Sequence, residues 1–198
     1  MNRAAEVIHL RWAHERNYLG QGIGVAVLDT GISKHPDFVQ QGNRIAAFYD
    51  AVNGRKEIYD DNGHGTHVSG ILAGDGSDSR GMYCGIAPYS NIISVKVLNH
   101  RGNGEIAHVL DGLNWVLENK IKYNIRIVNI SVGTTTKTQL DEFSALVRGV
   151  NEVWDSNIVV VVAAGHGEII TQKHKKTNKP NEKCVIIDKV IKRISGKK

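Results

Sequence analysis

Two short apolar runs restrict the architecture of this 198-residue chain more than anything else in it: IGVAVL at residues 23–28 and IVVVVAA at 158–164. Each is apolar at every position, so a strand built from it has no face to leave to water and needs cover on both sides. Neither is long enough to cross a bilayer, and no stretch of about 18 apolar residues occurs in the chain. Further strands are predicted at 44–49 (RIAAFY), 91–98 (NIISVKVL) and 126–131 (RIVNIS), with a helix at 64–73. Ile106, Val109, Leu113 and Val116 recur at helical spacing within 105–122, and Phe143, Leu146, Val147 and Val150 do so within 137–155. Strand and helix in alternation give parallel strands joined by helical crossovers, an α/β fold with a central parallel sheet flanked by helices. The 158–164 run is expected at the centre of that sheet. Chemistry in such sheets gathers beyond the carboxyl ends of the strands, which draws attention to Asp29, Ser131 and Gly165.

Charge is unevenly distributed. Residues 1–166 hold 15 Lys+Arg against 17 Asp+Glu, a net of −2, whereas residues 167–198 hold 10 against 3, a net of +7. The basic segment contains no aromatic residue to stack on bases, so a solvated tail is expected and nucleic acid is not an expected partner. No membrane partner is expected either. Cys84 and Cys184 are too few for a disulfide framework or a four-cysteine zinc site. The opening residues MNRAAEVIHLRWAHERN carry charges where an export signal needs an apolar stretch, so a cytoplasmic location is the expectation.

Asp29 ends the first strand in LDTGIS, and His64 opens a helix in NGHGTHVSGI. Gly63 and Gly65 on either side of His64 let backbone approach closely and leave the ring at the site instead of packed away. A histidine bonded to a buried carboxylate is held in one tautomer and acts as a general base at neutral pH. His67, one turn further on, is expected to be structural. A metal-hydrolase reading of Asp60, Asp61, His64 and His67 is the weaker alternative, because HGTH lacks the glutamate base of an HExxH helix.

The strings VAVLDTGI, HGTHVSGILAG, GIAPYSNIISVKVLNHRGNG and NISVG, in this order from about Gly20 to Gly165, resemble the aspartate, histidine and substrate-strand motifs of the subtilisin-like serine proteases. That resemblance implies a three-layer subtilisin-like fold, C-terminally incomplete, with a peptidase domain over 1–165. It implies serine endopeptidase chemistry in which Asp29 orients the imidazole and His64 is the base. Ser131, Val132 and Gly133 would pair with the backbone of an extended peptide or protein substrate. Family habit also implies a structural calcium near the histidine helix. The corresponding loop, GDGSDSRGMYCG, offers Asp75 and Asp78 without a recognisable ligand spacing, so no metal ligand is assigned and no cofactor is expected with certainty.

Two departures accompany the resemblance. His166 stands where the family places an oxyanion-hole asparagine, and loss of such a donor typically costs about 10²–10³ in turnover. Nothing resembling the family's Gly-Thr-Ser-Met-Ala nucleophile motif occurs in the sequence, so only two of three triad members are assigned. From His166 to Lys198 the sequence turns Lys- and Ile-rich, a composition that fits a diverged tail or a frame-shifted stretch of an AT-rich gene. The functional expectation is a subtilisin-like serine endopeptidase represented by its Asp/His portion. The alternative is an inactive peptide-binding pseudoprotease.

Overall fold

The computed structural model describes residues 2–132 and 145–162. Two short helices, α1 (Asn2–Val7) and α2 (Leu10–Glu15), precede the first strand. There follow β1 (Gly24–Asp29), α3 (Pro36–Val39), β2 (Ile45–Asp50), α4 (His64–Ala73) and β3 (Asn91–Lys96). The chain continues through α5 (Ile106–Asn119), β4 (Ile125–Ile130), α6 (Ala145–Asp155) and β5 (Val159–Val162). The strands form one parallel sheet in the order β2-β3-β1-β4-β5, the α/β architecture that alternating apolar runs and amphipathic helices require.

Alternation of side chains along β1 sets the layers. Ala26 and Leu28 face a core built with Ile93, Val95, Val109, Leu113 and Val150, so α5 and α6 cover this side. Val27 faces the other way, onto Ile32, Phe38, Ile92 and Ala73, where α3 and α4 lie. Every residue of β1 is buried, as an all-apolar strand in the middle of a three-layer fold must be.

β2–α4–β3 and β3–α5–β4 step the same way across the sheet, yet their helices lie on opposite faces. The two crossovers therefore have opposite hands. β4–α6–β5 shares the hand of the α5 unit, which leaves the α4 unit as the exception to the right-handed rule.

The expected central place of the 158–164 run is overturned among the described residues. β5 is the outer strand there, and β1 holds the centre. One face of β5 is covered, with Val160 in the core beneath α6, while Val159 and Val161 are 51% and 48% exposed. An apolar sequence states what a strand would prefer, not what covers it. Residues 163 and 164 of that run lie outside the described residues, as do 137–144 of the helix predicted over 137–155. No helix among the described residues is long and apolar enough to cross a membrane.

Candidate active site

The carboxyl ends of β2, β3 and β1 carry a row of charged residues in register, Asp50, Lys96 and Asp29, all buried. Asp29 is the last residue of β1 and has no exposed surface. Its Oδ1 accepts hydrogen bonds from the Thr30 N–H at 2.7 Å and from Nδ1 of His64 at 2.7 Å. Its Oδ2 is buried and has no hydrogen-bond partner among the described residues. The His64 side chain is 41% exposed, so the ring spans from a buried carboxylate out to open surface. Nε2 has no hydrogen-bond partner among the described residues, which leaves it free for a proton from a substrate-side hydroxyl or water.

Two different glycine properties bring His64 there. Gly63, the residue before α4, has φ of 95°, a left-handed conformation, while a Cβ on it would meet nothing. Gly65 is needed for space: a Cβ there would stand 2.3 Å from the Gly31 carbonyl oxygen and 3.2 Å from Cβ of Asp29. Gly65, Ser69 and Ala73 are the buried residues of α4, a line of small side chains that lets its first turn lie close against the Asp29–Gly31 turn.

The 60–63 loop locks this turn in place. Asp60 accepts from the Thr30 hydroxyl (2.8 Å), the Gly63 N–H (2.9 Å), the Thr66 N–H (2.9 Å) and the Thr66 hydroxyl (2.5 Å). The Gly65 N–H in turn donates to Oγ1 of Thr30 at 2.9 Å. A carboxylate at the start of a helix also meets the positive end of its dipole. Burial works to raise the Asp60 pKa, but the bonds from Thr66, Gly63 and Thr30 outweigh it and hold the carboxyl below its ordinary value. Asp50 behaves alike: burial is overcome by Tyr59 and by the amides of Asn53, Val52 and Arg55. Tyr59, half-buried and donating to Asp50, is pushed up to about 12.

The metal-hydrolase alternative is not supported by these positions. Asp60 is engaged with two threonines, Asp61 is bonded to Lys96, and His67 has an exposed side chain. His67 therefore has no core-packing role; it borders a groove of about 450 Å³ with His35, Phe38, Ile71 and Tyr83. Among the described residues no group of three or more His, Cys, Asp or Glu side chains could hold a metal. In the loop weighed for calcium, Asp75 turns to Arg44 (3.5 Å) and Asp78 to His35 (3.9 Å), so their carboxylates do not converge. Those residues do not fit the ion.

Ser131 and Val132 are half-buried and continue from β4 alongside the end of β1, where the Ser131 N–H donates to the Leu28 carbonyl at 3.4 Å. Oγ of Ser131 accepts from the Asn129 amide at 2.9 Å. Gly133 and His166 lie outside the described residues. Sequence reasoning passed over Lys96, although a lone lysine inside the apolar NIISVKVL was the available signal.

A buried carboxylate holding an imidazole at the carboxyl ends of parallel strands is an arrangement suited to acid–base chemistry. The sequence matches the Subtilase family over residues 20–185, and the chain belongs to that family. The match runs beyond Gly165, where the motif resemblance stops. The chain is 44% identical over 155 residues to the serine protease AprX of Bacillus subtilis, covering 74% of this chain and 34% of that one. It is 37% identical over 154 residues to subtilisin Savinase of Lederbergia lenta, covering 78% and 51%. Among solved structures it resembles the Clostridium perfringens CspB protease, with TM-score 0.67, 29% identity, and 77% and 37% of the two chains covered. A cold-adapted subtilisin-like serine proteinase matches with TM-score 0.60, 32% identity, and 75% and 48% coverage. The chain thus spans between about a third and a half of the length of these relatives.

Proposed function

We propose that the chain supplies the carboxylate, the base and the substrate strand of a serine endopeptidase that hydrolyses peptide bonds in extended peptides or proteins. The observation that carries this reading is the 2.7 Å contact between Asp29 and His64 Nδ1, with Nε2 left open. Asp29 fixes the tautomer in which Nδ1 is the donor, so Nε2 carries the lone pair that accepts a proton from the serine hydroxyl. As the hydroxyl attacks the peptide carbonyl, His64 becomes a cation beside a buried carboxylate; it then returns the proton to the leaving amine. Water repeats the sequence on the acyl-enzyme. Ser131 and Val132 extend past the end of β4; the Ser131 N–H is taken by the Leu28 carbonyl, and the remaining main-chain groups are offered for pairing with an extended substrate. This chemistry draws on hydroxyl, imidazole and main-chain donors.

Fluorophosphonate labelling tests the reading. The chain alone is expected to show no labelling, because no serine stands in the family's nucleophile context. Joined to a segment bearing a Gly-Thr-Ser-Met-Ala-type serine, it is expected to label, and His64→Ala is expected to abolish the labelling. Labelling that survives His64→Ala would overturn the assignment of the base.

A further inference from the structure

Lys96 is a fully buried cation at the heart of the row Asp50–Lys96–Asp29. An ammonium has three hydrogens to donate, and all three are used. Nζ donates to the Thr30 carbonyl at 2.6 Å, to Oδ1 of Asp61 at 2.7 Å and to the Leu98 carbonyl at 2.8 Å. It also lies 5.0 Å from the centre of the Tyr59 ring. Removing such a charge from water costs several kcal/mol, and a methionine of similar length would fill the space without that cost.

The three acceptors belong to three different segments. Thr30 carries the peptide immediately after Asp29. Asp61 sits in the loop that delivers His64. Leu98 starts the connection to His100, whose carbonyl accepts from the Asn62 amide at 2.9 Å. The Thr30 carbonyl is thus held by Lys96 while its hydroxyl is held by Asp60 and Gly65. We propose that Lys96 is a positioning residue for the Asp29–His64 pair: it fastens the turn bearing the carboxylate to the loop bearing the base. Its Nζ bonds neither the Asp29 carboxylate nor the His64 ring. This inference rests on His64 being the base oriented by Asp29.

The test is the low-field proton resonance of His64 Nδ1 at neutral pH, read on the isotope-labelled 198-residue chain. This signal reports the bond to Asp29 and is independent of any nucleophile. Asp29→Asn is expected to abolish it. Lys96→Met, with its fold checked by circular dichroism and by the amide spectrum, is expected to broaden the resonance away or move it upfield. Leu113→Ala, a destabilising change on the opposite face, is expected to keep it, which separates positioning from general loss of stability. A folded Lys96→Met protein with an unchanged resonance would overturn the inference while leaving the Asp29–His64 reading intact. If Lys96→Met fails to fold, Asp61→Ala removes one of the three bonds from the more exposed side. A weakened signal there supports the inference, and an unchanged one overturns it. A resonance absent from the parent chain, or indifferent to Asp29→Asn, would overturn the base reading and the inference with it.

Discussion

The two faces of the sheet are built on different terms. Beneath α5 and α6 the contacts are between large apolar side chains: Leu113, Val116, Val150 and Val153 close over Leu28, Val95 and Val128. Beneath α4 the apolar core is smaller, built on Val27, Ile32, Phe38 and Ile92; the buried residues of α4 itself are Gly65, Ser69 and Ala73, and its first turn is held by hydrogen bonds to Thr30 and Asp60. Volume on the first face contributes free energy in proportion to the area removed from water and tolerates small displacements. Directed bonds on the second face contribute less but fix the position of one ring to a fraction of an ångström. The side that holds the Asp29–His64 pair has the smaller apolar core.

If this contrast is right, the largest single loss of stability comes from the face with the larger apolar core. Leu113→Ala is expected to cost about 2–5 kcal/mol in denaturant unfolding, and to leave the His64–Asp29 signal unchanged. Gly65→Ala is expected to cost about 1–3 kcal/mol, because a backbone carbonyl stands where the methyl would go. Unlike Leu113→Ala, it should displace His64, so a retained low-field proton would break the comparison.

Acid sharpens the contrast further. Asp60 and Asp50 have folded pKa values below 3.8. Their contribution is therefore present above that pH and is lost as pH falls through the lower folded values. The α4 face should loosen first below about pH 3.8, and Asp60→Asn should flatten the fall in stability there. Parallel acid titrations of parent and variant would check this, and identical slopes would count against it. At the small end, Val159→Thr on the uncovered side of β5 is expected to change stability by no more than about 0.5 kcal/mol. A larger loss would mean that this side of β5 is part of a core after all.

Much of this was legible beforehand. The helix predicted at 64–73 is α4 from His64 to Ala73, because two glycines and a following apolar stretch mark its start and course. The contact between Asp29 and His64 was foreshadowed by the order of VAVLDTGI and HGTHVSGILAG, since either residue alone, ending a strand or opening a helix, fits a structural role as well. β5 misled because apolarity on both sides records a preference for cover, and cover is a property of neighbours. α1 and α2 went unforeseen for the opposite reason: Val7, Ile8 and Trp12 are exposed, so no apolar face announces them. Lys96 stood out only as a lone lysine in an apolar run, because two of its three acceptors, on Thr30 and Asp61, lie far from it in the chain. A lysine in an apolar run looks like an interruption until its partners are in place.

The order of the strands has a consequence for the life of the chain before it is folded. β1 precedes the other described strands in the chain, yet its neighbours in the sheet are β3 and β4, with Gly24 paired to Asn91 on one side and to Ile125 on the other. During synthesis at about 5–20 residues per second, β1 is complete about 3–13 s before the end of β3 exists to pair with it. Through that interval its GVAVLD edges are unpaired and open to pairing with other chains. Pairings this distant are also slow to find once the chain is free. The strand that ends in Asp29 therefore waits for partners made 62 or more residues later.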